Sequence, residues 1–179
     1  ATAEYLGKKP EDLKIITCHL GNGSSIAAVK NGKVLDTTMG LTPLAGVVMG
    51  TRSGDLDPAV VFTLIREGMS VDEVDNLLNK KSGLLGVGGI NSNDIRDIIS
   101  NAQNGVESAK LALDMWTHRL VFYIGAYYAL LGGADAIVFT GGIGENSAPA
   151  RATLIEQLAA IGCDIDPELN ATLRGPRSE

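Results

Sequence analysis

The sequence predicts an α/β domain on a mixed sheet: three antiparallel strands, then helices, a further strand and a helix. Three observations predict it. Short apolar runs rich in β-branched residues lie near the N-terminus, two of them joined by Asn31-Gly32, a strong hairpin signal. Helical periodicity with well-marked caps takes over after residue 57. One more short apolar run, Ala134 to Thr140, sits between two helical segments, as a strand does when it returns to a sheet through a crossover.

The elements follow in order. Asp12 to His19 (DLKIITCH) reads as a buried strand, Leu20 to Ser24 as a turn, Ser25 to Lys30 as a second strand and Lys33 to Thr38 as a third. Gly40 to Leu56 has four glycines, one proline and no period, so it is a long loop, and long loops in compact domains are usually functional. Asp57 caps the next helix, Pro58 fits its first turn and Gly68 follows its end. Ser70-Val71-Asp72-Glu73 fits a capping box, with Val71, Val74, Leu77 and Leu78 on one apolar face. Lys81 to Asn93 reads as a second Gly-rich loop, followed by a short helix with Ile95, Ile98 and Ile99 inward. Val106 to Leu131 is the longest helix. Its apolar stretch from Leu120 to Gly132 is too short to span a bilayer and reads as a buried helix. Ala134 to Thr140 is another buried strand, expected beside the first. Gly141 to Asn146 is a third Gly-rich turn, and Ser147 caps a helix with Leu154, Ile155, Leu158 and Ile161 on one side.

Composition narrows the function. The 179 residues suit one domain, and 45% apolar residues supply a sizeable core. A net charge of −6 argues against a nucleic-acid partner, which calls for a basic patch. An ATP site survives that argument, because backbone N–H groups and one or two basic side chains suffice. Cys18 and Cys163 form no CxxC pair and read as two small buried hydrophobes in a reducing, cytoplasmic setting. With only His19 and His118 to join them, no metal site is expected. The sequons at Asn22 and Asn170 read as chance, since no secretory signal accompanies them. The chain opens with Ala1, and both ends read as cuts inside a larger protein.

Four segments carry candidate chemistry. In His19-Leu20-Gly21-Asn22-Gly23-Ser24-Ser25, two glycines one residue apart can turn successive N–H groups toward an anion, although an ordinary hairpin turn would use the same residues. In Met49-Gly50-Thr51-Arg52-Ser53-Gly54-Asp55, Arg52 offers a planar fork suited to a carboxylate or a transferring phosphoryl group. A solvated loop arginine would look the same. Gly141-Gly142-Ile143-Gly144-Glu145-Asn146 joins a strand to a helix without dinucleotide or P-loop spacing, so it suits a base and sugar better than a phosphate cradle. A tight packing turn is the alternative. Asp94-Ile95-Arg96 starts a helix, where Asp caps and Arg96 lies on the surface.

Together these segments resemble the acetate and propionate kinase family, within the superfamily of actin, hexokinase and heat-shock chaperones. The resemblance rests on His19 to Ser25, Met39 to Ala59 (MGLTPLAGVVMGTRSGDLDPA), Lys81 to Gly86 and Tyr123 to Asn146, and it covers essentially the whole chain. It implies a ribonuclease-H-like, actin-like ATPase domain, with residues 1–179 as the C-terminal nucleotide-binding domain and an N-terminal domain and C-terminal tail lying outside the chain. It implies reversible transfer of the ATP γ-phosphoryl group to acetate, giving acetyl phosphate and ADP, with magnesium. Carried onto these residues, His19, Leu20, Gly21, Asn22 and Gly23 would contact phosphate. Asp94, Ile95, Arg96, Gly142, Ile143, Gly144, Glu145 and Asn146 would form the adenosine part, and Arg52 would be catalytic. Glu145 is not assigned as a metal ligand. The family also implies a homodimer, with the Val106–Leu131 helix a candidate interface. Ala45 stands where the family pattern has an acidic residue, and Val87 to Asn93 matches that pattern loosely. Propionate kinase is the alternative activity. A nucleotide-binding or dimerisation module without catalysis is the alternative for these residues alone.

Overall fold

The computed structural model describes residues 1–173. Along the chain come α1 (Thr2–Tyr5), a 3-10 turn (Pro10–Asp12), β1 (Lys14–Leu20), β2 (Ser24–Lys30), β3 (Lys33–Thr37), α2 (Pro58–Arg66), α3 (Val71–Lys80), α4 (Gly83–Gly88), α5 (Ile95–Gln103), α6 (Glu107–Leu131), β4 (Ala136–Thr140), α7 (Gly141–Asn146), α8 (Ala148–Gln157), a second 3-10 turn (Ala159–Ile161) and α9 (Pro167–Thr172). The chain forms two compact units. Among the described residues, 1–38 and 117–173 make the first, and Met39–Trp116 make the second.

The first unit holds a four-stranded sheet in the order β3-β2-β1-β4. β1 pairs antiparallel with β2 and parallel with β4, so the late strand does return beside the first. Asn31 (φ 55°) and Gly32 (φ 74°) both take the left-handed conformation, as a two-residue hairpin turn requires. Register sets the buried face. Ile16 lies opposite Ala28, Cys18 opposite Ile26 and Leu20 opposite Ser24, and all six are buried. Burial pushes the Cys18 thiol up to about 12, because a thiolate there would have no solvent. Cys163 is only half-buried, so the expectation of two buried cysteines holds for one of them. β4 is half-buried along its whole length rather than buried. It is anchored by Asp135, which accepts from Lys14 N–H at 2.9 Å and from Lys8 Nζ at 3.0 Å.

The second unit is helical, and its caps match the sequence closely. Asp57 accepts from Ala59 N–H, and Ser70 and Glu73 close both bonds of a capping box. Val74 and Leu78 are buried as expected, but Val71 is exposed at the first turn, where the apolar face has not yet met a neighbour. α2 buries none of its residues. Ile95, Ile98 and Ile99 on α5 are buried.

Helix α6 runs through the boundary between the units. Ala109, Ala112, Trp116, Leu120, Ile124, Tyr127 and Leu131 form one buried stripe at steps of three and four. Phe122 and Leu130 are exposed, so the Leu120–Gly132 stretch is a one-sided helix and not a buried one. No helix among the described residues is long and apolar enough to cross a membrane.

Two segments read as glycine-rich turns are short helices: α4 inside the Lys81–Asn93 loop, and α7 in place of the Gly141–Asn146 turn. Each glycine lowers intrinsic helix propensity by about 1 kcal/mol, so only tertiary bonding makes these helices. For α4 that bonding is explicit, with Leu84 N–H donating to Met49 O and Leu85 N–H to Gly50 O, both at 2.9 Å.

Candidate functional site

In the first unit, two turns meet at the C-terminal ends of the parallel strands β1 and β4. His19 lies in register with Thr140, and His19 Nδ1 and Thr140 Oγ1 are 3.1 Å apart. Alternation along β1 buries Cys18 and Leu20 and leaves His19 exposed on the opposite face. After Leu20 the chain turns through Gly21, Asn22 and Gly23. The Gly21 N–H donates to Gly23 O at 3.1 Å and toward Ser24 Oγ at 3.3 Å, while the buried Ser24 hydroxyl donates to Gly21 O at 3.0 Å. The Gly21 N–H is therefore taken up within the turn and is not one of its outward donors.

The β4–α7 turn packs onto this one. Gly141 has φ +77°, and a Cβ there would lie 2.7 Å from Leu20 O and 3.1 Å from His19 Cε1. Only glycine fits so close an approach. Gly144 is held more gently, with Phe139 atoms 3.4 Å from where its Cβ would be. Gly142 differs from both, because a Cβ there would meet nothing within 4 Å and its φ is not positive. Gly142 is exposed, and packing does not require glycine there. The carboxylate of Glu145 accepts from Gly141 N–H at 3.1 Å, and Asn146 Nδ2 donates to Gly142 O at 3.0 Å. With Glu145 on the first N–H of α7, the helix start is not an open anion site. The Gly141 N–H is thus taken by the protein itself, and a base and sugar suit this turn better than a phosphate.

Arg151 and Asn170 went unrecognised in the sequence. The buried Arg151 donates from Nη1 to the carbonyls of Gly144 and Glu145, both at 2.9 Å. Its Nε donates to Asn170 Oδ1 at 2.8 Å and its Nη2 to Asn170 O at 2.9 Å, and Asn170 Nδ2 donates to Ala148 O at 3.0 Å. One signal was available: a cation in the first turn of a helix opposes the helix dipole, so it needs another reason to be there. Asn170 is buried with its amide engaged.

A groove of about 810 Å³ runs along β4 toward α9, lined by residues such as Tyr128, Phe139, Cys163 and Leu169. None of the residues proposed for phosphate, adenosine or catalysis lines it. The candidate site rests on turn geometry, not on concavity.

The second unit holds Arg52, Asp94, Ile95 and Arg96. The Arg52 loop is tied from several sides. Met49 N–H donates to Arg52 O at 3.2 Å, Ser82 N–H to Thr51 O at 3.0 Å, and Ser53 N–H to Leu78 O at 3.0 Å. Gly83, at φ +62°, approaches so closely that a Cβ would lie 2.2 Å from Met49 O and 2.7 Å from Arg52 O. Gly54, at φ +69°, is equally confined by Gly46 O at 2.6 Å. The half-buried Arg52 has Nη1 3.8 Å from Met49 Sδ, and among the described residues it enters no ion pair. A guanidinium carried on a fixed backbone and in no ion pair among the described residues suits an anion that arrives from outside.

Asp94 caps α5, accepting from Arg96 N–H at 2.9 Å, while the Arg96 guanidinium grips the same carboxylate. The Arg96 side-chain and backbone hydrogen bonds hold the Asp94 carboxyl below its usual range, and Asp94 in turn raises Arg96. The Arg96 side chain is 81% exposed, so solvent screening leaves this pair little to contribute. Ile95 is buried, which makes it a core residue of α5.

Magnesium, implied by the family resemblance, finds no group of three His, Cys, Asp or Glu side chains among the described residues that could hold it.

Comparison with known proteins agrees over nearly the whole chain. Residues 1–178 match the Acetokinase family. An acetate kinase of Clostridium novyi is 57% identical over 172 residues, which is 96% of this chain and 43% of that protein. The crystal structure of Porphyromonas gingivalis acetate kinase superposes with a TM-score of 0.91 at 46% identity, covering 98% of this chain and 44% of the other. A propionate kinase from Francisella tularensis gives 0.87 at 46% identity, covering 94% and 43%. The chain thus spans less than half the length of the relatives it matches.

Proposed function

The chain belongs to the acetokinase family, and on that premise we propose that it forms the nucleotide-binding part of a kinase that moves the ATP γ-phosphoryl group reversibly to acetate. The observation that carries this reading is Gly142, a glycine that neither its backbone angle nor its neighbours require, beside a turn from the parallel strand β1. The absence of a side chain there leaves room for a ligand. His19, Leu20, Gly21, Asn22 and Gly23 would line the phosphates, with Asn22 and Gly23 nearest the tip. Gly142, Ile143, Gly144, Glu145 and Asn146 of the first unit would receive the adenosine; Asp94 and Arg96 of the second unit are further adenosine candidates, whereas Ile95 is buried in the core of α5. Magnesium would travel with the nucleotide phosphates.

Phosphoryl transfer needs positioning and charge stabilisation more than covalent chemistry from the protein. Arg52 meets that need: its fork can follow charge on the transferring group, and its backbone is fixed before substrate arrives. Acetate is preferred to propionate as the acceptor because the curated relatives are acetate kinases. The propionate kinase structure keeps the second acceptor in the test. The working protein would be a cytoplasmic homodimer, with exposed Phe122 and Leu130 of α6 as candidate contact residues.

The test is acetyl phosphate formation from ATP and acetate by the complete protein that carries this chain, with propionate in parallel. Arg52→Ala should lower kcat by roughly 10³–10⁵ while leaving the ADP dissociation constant nearly unchanged. Full turnover without Arg52 would remove it from the mechanism, and turnover confined to propionate would change the acceptor.

A further inference from the structure

Resting on the nucleotide reading above, we propose that Arg151 is a positioning residue that sets the Gly142–Asn146 turn for adenosine by clamping its far end to α9. The argument begins with what α7 lacks. It is a helix of 6 residues, three of them glycine, and such a segment has almost no conformational preference of its own. Its entry is fixed by Gly141 against β1 and by Glu145 on the Gly141 N–H. Its exit presents the carbonyls of Gly144 and Glu145, which a helix end leaves without intrahelical partners. Arg151 Nη1 takes both, at 2.9 Å each.

The other side of the guanidinium is held by Asn170, through Oδ1 at 2.8 Å and the main-chain O at 2.9 Å. Asn170 Nδ2 then returns to the carbonyl of Ala148, the first residue of α8. The planar fork thus reads four acceptors from two directions, a geometry that an ammonium cannot copy. The buried Arg151 guanidinium spends these bonds on Gly144, Glu145 and Asn170, so it acts through the turn. Without it, Gly142 and Ile143 would sample several arrangements, and ADP would bind only the competent fraction.

The experiment is calorimetric titration of Mg-ADP into the protein and into Arg151→Ala, Arg151→Lys, Asn170→Ala and Gly142→Val, each well below its melting temperature. Amide hydrogen exchange of residues 141–147 is followed in parallel. Arg151→Ala should weaken ADP about tenfold, the equivalent of one or two lost hydrogen bonds, and speed exchange in that turn but not in β1 or β2. Arg151→Lys should recover part of the loss, and Asn170→Ala should lose less because the bonds to Gly144 and Glu145 remain. If Arg151→Ala does not fold, the Lys and Asn170 variants carry the same prediction. Wild-type ADP affinity in the folded Arg151 variants, with Gly142→Val still defective, would overturn the positioning role and spare the nucleotide site. ADP binding absent from the wild type, or indifferent to Gly142→Val, would overturn both.

Discussion

In the Arg52 loop the glycines answer to the protein's own backbone, whereas Gly142 in the β4–α7 turn has nothing of the protein against it. A Cβ at Gly83 or Gly54 would collide with carbonyl oxygens at 2.2 and 2.6 Å, and both residues sit at positive φ. At Gly142 a Cβ would stand in open space at an ordinary φ. The two regions therefore reach function by different routes. The second unit builds a rigid frame that fixes the Arg52 backbone before substrate arrives. The first unit leaves a bare stretch of backbone where a ligand can lie, and it steadies that stretch from both ends.

The sharpest way to break this contrast is to add one methyl group on each side of it. Gly83→Ala should cost about 3 kcal/mol or more, since left-handed strain and a backbone clash act together. Denaturant unfolding would measure it, and hydrogen exchange should localise the damage to residues 49–54 and 82–86. Gly142→Ala should leave ligand-free stability unchanged or raise it by up to about 1 kcal/mol, because alanine favours a helix more than glycine does. An equal loss at the two positions would erase the distinction.

A smaller effect sharpens the comparison within the second unit. Asp94→Ala removes the cap of α5 and should cost about 1 kcal/mol. The folded Asp94 carboxyl is held below its unfolded value by the hydrogen bonds from Arg96. Its contribution is therefore present above the unfolded carboxyl's range and lost as pH falls through the lowered folded value. The wild type should lose this increment below about pH 4, and Asp94→Ala should lack that part of the pH dependence. Identical acid profiles would show that the cap and ion pair contribute nothing.

Local chemistry made much of this legible in the sequence. The Asn31-Gly32 hairpin, the Asp57 and Asp94 caps and the Ser70–Glu73 box each rest on a few neighbouring residues, and each appears where the sequence put it. The return of β4 beside β1 follows from the strand, helix and strand order, and the structure makes that pairing parallel. Helices α4 and α7 were illegible because bonds from distant carbonyls and from Arg151 outweigh the propensity of glycine-rich segments. Burial along α6 was over-read for a related reason: an apolar run shows that a stripe can be buried, not how wide its cover is. Phe122 and Leu130 lie outside that cover. The division of the chain at Met39 and Trp116 left no trace, because no linker marks it. At the site, the residue types were legible in the motifs, but the clamp of Arg151 on Asn170 spans too much sequence to be read from any of them.

The most direct test of the central claim is a thermal melt of wild type and Gly142→Val, each with and without Mg-ADP. At a hundred times its dissociation constant ADP should stabilise the wild type by about 2.7 kcal/mol, a rise of a few degrees. The account predicts that Gly142→Val melts close to the ligand-free wild type and gains nothing from ADP. A variant that ADP stabilises as fully as the wild type would contradict it, because the open space at Gly142 would then not be where the nucleotide lies.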